Sequence, residues 1–565
     1  MEIREKLKNK ILGVLEELNI EEKDVNFTSD ISHGDFSTNI SLTVFHKLKE
    51  KFKNPIELGK FIVSQIQKNV PEIERIEISP PGFLNFFLRE IFLIKKVDHI
   101  TSDKNYGKGS GLQGHKILLE FAHPNTHKLF HIGHLRNISV GESLARLLDF
   151  QGSKVIRANY QGDIGLHVAK AIYGIQNSEF RIQNFGKKSI KERIKFISNA
   201  YVEGNKAFEE DEGAKTRISE LNKKLYEKDP DLMQVWEITR KWSLEYFDRI
   251  YKRLGTKFDR LYFESEAAEP GREIVLKNVG KVFVKDDGAV IFEGEKCGLH
   301  NRVFINSIGL PTYEGKDVGL AHLQMKEFSP DKIIHVVGPE QKGYFDVLFK
   351  ALEEVSADFK NKELHLEYGF VRLKEGKMSS RRGDVVEGEW LLDETKRRLK
   401  ENFEQMEEET LGKVAVGAVK YSMLKFSRKS DITFSFKESI NLEGNSGPYI
   451  QYAYARTNSV LAKVKSEKLK VKSKIKNSKL EKEELLLLRL LIQFPQVVRE
   501  AQENFAPNTL ANYLFELSQA FNNFYQKHKI IGSENQDFRL NLTSAVGKTL
   551  KTGLYLLGIE APNKM

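Results

Sequence analysis

The chain opens with MEIREKLKNKILGVLEELNI, where apolar and charged residues mix at a helical spacing, so an amphipathic helix is predicted there. A second helical stretch runs from about Asn54 to Asn69 behind an Asn-Pro start, and IERIEISPPGFLNFFL then alternates as strands do. Residues 1–100 thus read as a small α+β unit, and the polar, glycine-rich DKNYGKGSGLQG, Asp103 to Gly114, as the linker behind it. Beyond it the pattern changes. KILLEFA, from Lys116, is a short apolar strand, HKLFHIGHLRN opens a long helix through Leu148, Gly152 stops that helix, and KVIRANY is a second strand. Strand, helix and strand in that order make a βαβ unit. Charged helical sequence and the hairpin VGKVFVKDDGAVIFEG read together as one insertion over about 175–300. The β/α pattern resumes at KIIHVVG, Lys332 to Gly338, and ends in a loop rich in Lys, Ser and Arg at Gly376 to Asp384. From 396 onward the period is helical, interrupted by SVLAKVKSEKLKVKSKIKNSKLEKEE, which reads as a solvated linker. The predicted fold class is α/β: a Rossmann-type domain over 101–395 carrying an insertion, between an α+β unit (1–100) and an all-α bundle (396–565).

Composition narrows the setting. At 565 residues the chain exceeds what one core supports, and Lys plus Arg, 89 against 79 acidic residues, leaves a net charge of +10 that suits a polyanionic partner. The single cysteine, Cys297, rules out a disulfide framework and any CxxC zinc site, so a reducing, cytoplasmic setting is expected. The N-terminal stretch has the features of neither a signal peptide nor an acid-poor transit peptide. LLLLRLLI, Leu485 to Ile492, is broken by Arg489 and falls short of the roughly 20 residues a bilayer requires, so no membrane partner is expected.

Ligands of a doubly wound sheet bind beyond the carboxyl ends of its strands, where the first βα turn aims helix amides at phosphate. His131 and His134, three apart in that turn, would face one side and donate to a phosphate that gains charge as it is attacked. Gly133 would let a base approach the backbone, and Lys128 adds a point charge suited to leaving phosphates. His123, His127 and His131 also stand at a metal-like helical spacing, but Pro124 interrupts any helix there and no HExxH or nearby cysteine supports it, so no metal site is expected. The one GKT, Gly547 to Thr549, has Leu542 where the first glycine of a P-loop belongs, which excludes that motif.

HIGH together with GKMSSRRGDVV, Gly376 to Val386, resembles the paired HIGH and KMSKS elements of class I aminoacyl-tRNA synthetases. EFAHPNTHKLFHIGHLRN, NYQGDIG (Asn159 to Gly165), LPTYEGKDVG (Leu310 to Gly319), HVVGPEQ (His335 to Gln341) and GPYIQYAYAR (Gly447 to Arg456) together resemble the arginyl-tRNA synthetase family. The resemblance covers nearly the whole chain. GDFSTN (Gly34 to Asn39) and SPPGFLNFFL (Ser79 to Leu88) are similar to that family's N-terminal tRNA-binding domain, and YLFELSQAFNNFYQ (Tyr513 to Gln526) with LLGIEAPNKM to its helical anticodon-binding domain.

The resemblance implies ATP-dependent activation of L-arginine, with ATP carried as its Mg2+ complex, followed by transfer to the terminal adenosine of tRNA(Arg). A monomer is expected, and, with a single cysteine, no zinc. By the same resemblance His131, Gly133, His134, Lys377, Met378, Ser379 and Arg381 would bind ATP, with His131, His134, Lys377 and Lys128 stabilising the transition state. Asn125, Tyr313, Asp317, Gln341 and Asp163 would surround arginine. A guanidinium is a planar fork best read by a carboxylate and a fixed hydroxyl, and Tyr313 and Asp317, four apart on a predicted helix, suit it on that ground also. Phe83, Asn85 and Phe86 would meet the tRNA elbow, and Tyr449, Tyr452, Arg456 and Met565 the anticodon arm, where aromatic rings stack on splayed bases. Part of the set Tyr449, Tyr452 and Tyr454 is expected to be core.

The chain departs from the family pattern in three places. Lys377-Met378-Ser379-Ser380-Arg381 lacks the second lysine, for which Lys128 stands in a compensating position; His123 replaces a small hydroxyl residue; and Ile164 and His167 replace a Trp and a Gln. A cysteinyl enzyme would need zinc ligands that one cysteine cannot supply. A tRNA-binding paralogue without catalysis would have lost its ATP residues, whereas His131, Gly133, His134 and Lys377 are all present.

Overall fold

The computed structural model describes residues 3–28, 33–67, 70–178, 182–374, 386–464 and 480–565. Lys377, Met378, Ser379 and Arg381, and most of the lysine-rich run, lie outside the described residues.

The N-terminal unit is a three-stranded antiparallel sheet with Phe83–Leu88 between Phe36–Thr38 and Ile73–Ser79. Alternate residues Leu84, Phe86 and Leu88 are buried, as the two-residue period of a half-covered strand requires. They share a core with the helices Ile3–Glu17 and Pro55–Ile66. The second helix starts for a local reason: the Asn54 side chain accepts the Glu57 amide at 2.9 Å, and Pro55 takes the first position, where no amide proton is needed.

The central body alternates β1 (Lys116–Glu120), α1 (Ile132–Phe150), β2 (Lys154–Gln161), α2 (Pro230–Arg253), β3 (Arg260–Phe263), α3 (Glu264–Lys277), α4 (Tyr313–Phe328), β4 (Lys332–Val337), α5 (Lys342–Val355) and β5 (Glu363–Glu367). Its sheet is parallel throughout, in the order β5-β4-β1-β2-β3. Strand order therefore reverses between β1 and β4, which makes that crevice the topological switch point. Leu118, Leu119, Ile333, Ile334 and Val336 are all buried, the continuous apolar run expected of strands covered on both faces. Gly152, at φ +101°, takes a backbone conformation that L side chains rarely adopt and turns the chain from α1 into β2.

One expectation is corrected here. The stretch read as a single insertion over 175–300 is divided by β3, whose Ala158↔Arg260 to Gln161↔Phe263 register places it beside β2 in the main sheet. Helices Ile190–Glu210, Glu212–Tyr226 and α2 lie before it, and a small antiparallel sheet, Val284–Asp286, Ala289–Phe292 and Arg302–Ile305, lies after it. A strand of four residues between two helices is too short for hydrophobic period to mark.

The rest comprises β6 (Val371–Leu373), α6 (Gly388–Asn402), α7 (Glu408–Leu424), β7 (Ile432–Phe434), α8 (Gly447–Ala462), α9 (Lys482–Glu503), α10 (Pro507–Lys527) and α11 (Gln536–Leu556). β6 and β7 pair in parallel. One apolar core runs from the N-terminal unit through α1 into the last helices, joining Leu7, Leu144, Leu491 and Leu550. Each such leucine, fully buried, contributes about 1.5–3 kcal/mol.

Candidate active site

The loop from β1 to α1 carries the HIGH segment to the switch point. The Asn137 side chain spans the two strands there: its Oδ1 accepts the Ala122 amide at 2.6 Å and its Nδ2 donates to the Val336 carbonyl at 2.7 Å. Thr126 fixes the loop from the other side, its amide donating to the Gly162 carbonyl at 2.8 Å.

α1 begins with a capping box built from two imidazoles. His131 Nδ1 accepts the Gly133 amide and His134 Nδ1 accepts the His131 amide, each at 3.1 Å. The rings stack with centroids 3.7 Å apart. Because both Nδ1 atoms accept, the ring proton of each sits on Nε2, leaving two N–H donors at a helix N-terminus. Burial, assisted by the Lys128 charge, pulls His131 down to about 4, and burial followed by the His131 charge drives His134 well below its ordinary value. Both rings are therefore neutral donors at neutral pH. Lys128 lies over the Tyr201 ring, 4.8 Å from its centroid. A Cβ on Gly133 would stand 3.0 Å from the His131 ring, close enough that the ring would have to shift by a few tenths of an ångström.

The other histidines of the series do different work. His127 is buried, with ring nitrogens 2.9 Å from the Thr126 hydroxyl and 2.8 Å from that of Thr239 on α2, a packing role. His167 sits 3.2 Å from the Gly162 carbonyl. His123 lines the cavity described next, and its Nε2 makes no hydrogen bond. Among the described residues no cluster of three or more His, Cys, Asp or Glu could hold a metal ion.

Beside this turn a cavity of about 610 Å³ opens between β1, β2, α3, α4 and the Pro339–Gln341 turn. The structure brings Asn125, Tyr313, Asp317 and Gln341 to its wall. Tyr313 is 62% exposed, at the rim. Asp317 accepts the Tyr344 hydroxyl at 2.6 Å. Burial, with the neighbouring charges of Glu120 and Glu264, still pushes its carboxyl up to about 7.

Two further clusters in or behind this wall escaped sequence reasoning. Glu264, at the first position of α3, is ion-paired with buried Lys316, whose ammonium it holds protonated. Glu120, at the end of β1, accepts from His335 Nδ1 at 3.1 Å and from Gln324 at 2.5 Å, while His335 Nε2 lies 2.8 Å from Glu363. Burial opposes charge on both partners, but each offsets it for the other: His335 rises to about 10 and Glu120 falls below its ordinary value. The cavity thus presents carboxylates at fixed places and favours a cationic ligand.

Asp163, expected at the arginine site, is withdrawn from it. Its buried carboxylate accepts Arg240 Nε at 2.7 Å and the amide and hydroxyl of Ser265 at 2.9 and 2.7 Å, so it anchors the start of α3 and thereby places Glu264. Of the expected elbow residues, Phe86 is core and Asn85 is buried between Ser37 and Ser79, while Phe83 is 38% exposed. In the helical domain the Arg456 guanidinium lies over the rings of Tyr452 and Tyr525 at 4.7 and 4.9 Å, a partly exposed cluster. Tyr449 packs on Phe515, Tyr454 is buried, and Met565 rests on the apolar cluster of Leu399 and Leu411.

Comparison with known proteins agrees with this architecture. Residues 1–88 match the family described as arginyl tRNA synthetase N terminal domain, 96–436 that of tRNA synthetases class I (R), catalytic domain, and 450–565 that of the DALR anticodon binding domain. An arginine–tRNA ligase of Bacteroides thetaiotaomicron is 31% identical with all of both chains covered, and one of Borreliella afzelii is 34% identical over 93% of this chain and 92% of its own. The crystal structure of arginyl-tRNA synthetase from Plasmodium falciparum superposes with a TM-score of 0.82 at 24% identity, covering 100% of this chain and 99% of its own, which shows the shared fold. With its parallel sheet, HIGH turn and matched flanking domains, the chain belongs to the arginyl-tRNA synthetases, class I enzymes whose reaction is the aminoacylation of tRNA(Arg).

Proposed function

We propose that the cavity of Asn125, Tyr313, Asp317 and Gln341 holds L-arginine and that His131 and His134 hold the phosphates of ATP, taken as its Mg2+ complex. The observation that carries this reading is the adjacency, along one β1–α1 loop, of a carboxylate-lined cavity and two neutral imidazole donors at a helix N-terminus. Asp317 and Glu264, with the Tyr313 hydroxyl, receive the guanidinium; Glu120 and Asn125 receive the α-ammonium. The arginine carboxylate then attacks the α-phosphorus. A carboxylate oxygen to phosphorus bond forms, the bond to pyrophosphate breaks, and the two Nε2–H groups, with Lys128 and Lys377, stabilise the growing charge. In the second step a ribose hydroxyl of the terminal adenosine attacks the arginyl carbonyl, its proton passing to the departing AMP phosphate or to water. No side chain becomes covalent, so catalysis is positioning and charge stabilisation.

The chain is divided as a tRNA-binding unit over 1–100, a catalytic body over 101–395 and an anticodon-binding domain over 396–565, with β7 crossing the last boundary to pair with β6. Phe83 is assigned to the tRNA elbow and the Tyr452, Arg456 and Tyr525 cluster to single-stranded anticodon bases, supported by their exposure and cation–π geometry. We take the working form to be a cytoplasmic monomer; among the described residues no helix is long and apolar enough to cross a membrane. Pyrophosphate exchange with each amino acid in turn, with and without total tRNA, tests the reading. Exchange with arginine alone, appearing only with tRNA, is expected; exchange driven by another amino acid would remove the pocket assignment.

A further inference from the structure

We propose that Arg136 is a positioning residue for adenylate formation, holding the first turns of α1 in register with the chain on either side of residues 375–385. The inference rests on the nucleotide role given above to His131 and His134.

Arg136 lies two positions beyond His134 and is fully buried, at 0% exposure. Its Nη1 donates to the Phe370 carbonyl at 3.4 Å, and its Nη2 donates to the carbonyls of Arg428 and Ser430 at 2.9 and 2.7 Å. Its Nε makes no hydrogen bond. Among the described residues no carboxylate lies within 4.0 Å of the guanidinium as an ion-pair partner; Asp431, close by in the chain, accepts the Phe370 amide at 2.7 Å. Burying a charge whose hydrogen-bond acceptors are all carbonyls is costly even with the Asp431 charge nearby, and a neutral side chain would fill the same space without that cost.

What the guanidinium reaches explains its use. Phe370 directly precedes β6, and Arg428 and Ser430 lead into β7, the parallel partner of β6. Residue 374 is the last described before 375–385. On the far side the chain is again tied to the HIGH turn: the Ile132 amide donates to the Val386 carbonyl at 2.9 Å, and the Gly388 amide donates to the Phe130 carbonyl at 2.8 Å. Both flanks therefore refer to the same turn that carries the two histidines, one through Arg136 and one through backbone. A planar fork can hold three carbonyls on two segments at once, whereas an ammonium on a flexible stem cannot reproduce that geometry.

Arg136→Lys and Arg136→Met in the full chain test this, with kcat and KM for arginine and ATP taken from pyrophosphate exchange in the presence of tRNA, and the rise in melting temperature produced by saturating arginine measured alongside. Misplacement of reacting groups by an ångström costs on the order of a hundredfold, so Arg136→Lys is expected to lose about ten- to a hundredfold in kcat while KM for arginine stays within about twofold and the arginine-induced rise in melting temperature persists. Unchanged kcat in folded Arg136→Lys overturns the proposal, as does a loss of kcat accompanied by loss of the arginine-induced rise, which would mark a merely structural role. If Arg136→Met does not fold, Arg136→Lys decides alone. His134→Ala, measured in parallel, separates the two readings: full rate in that variant would remove the nucleotide assignment whatever Arg136 does.

Discussion

The imidazole of His134 accepts the backbone amide of His131 at 3.1 Å while the two rings stack 3.7 Å apart. The helix cap and the two donors proposed for phosphate are thus the same pair of side chains, and the bond that starts the helix also sets which ring nitrogen carries the proton.

Replacing His134 by alanine removes one of the two Nε2–H groups proposed to face phosphate, and half of the cap. Adenylate formation is expected to fall by about two orders of magnitude, the usual scale for one such donor, in single-turnover assays at saturating ATP. Since His131 titrates only near 4, neither ring should impose an acid limb on kcat above about pH 5. A limb near the ordinary histidine value would contradict the neutral-donor assignment.

If Asp317 receives the guanidinium as proposed, arginine binding depends on pH. Burial pushes its carboxyl up to about 7, and only the ionised form pairs with a guanidinium. Below that value the competent fraction drops, so KM for arginine is expected to rise about tenfold for each pH unit lost, and to level off above it. Asp317→Asn should raise KM and abolish the dependence. Arginine KM measured between about pH 6 and 8 decides, and a flat parent profile would place the guanidinium elsewhere.

Asp163→Ala leaves Arg240 and the Ser265 amide without their acceptor. Leaving a buried donor without its acceptor typically costs about 1–3 kcal/mol, visible as an earlier urea transition. KM for arginine should rise as well, because the start of α3 carries Glu264. A normal urea transition would show that the Arg240 pairing is dispensable.

His335 makes stability depend on alkalinity. Its folded value, about 10, stands above the ordinary 6.5, so its contribution is complete below 6.5 and is lost as pH climbs toward 10. Relative to His335→Gln, the parent's urea midpoint is expected to decline across that window, and parallel midpoints would show that the imidazolium is not held by Glu120 and Glu363.

Much of this is legible in the sequence itself. Hydrophobic period placed the βαβ unit, and the spacing of His131 and His134 put both on one turn, because those signals are local. The buried trio of Glu120, His335 and Glu363 was not legible: its members come from three strands adjacent only in the folded sheet, although a Glu closing KILLE and a His inside KIIHVV are charges where apolar residues belong. Asp163 misled because a carboxylate in a motif says nothing of which cation claims it. Phe83 and Phe86 could have been separated from the outset, since residues three apart on a strand point to opposite faces.

Asn137 acts as a gauge for the whole catalytic body. One carboxamide bridges the chain just past β1 and the strand β4, between which the strand order reverses, with an acceptor for Ala122 and a donor for Val336. Aspartate has its length but lacks the donor, and glutamine has both groups on a stem one carbon longer. The spacing between the ends of β1 and β4 is therefore tied to the reach of a single side chain, and the turn bearing the histidines is hung from it.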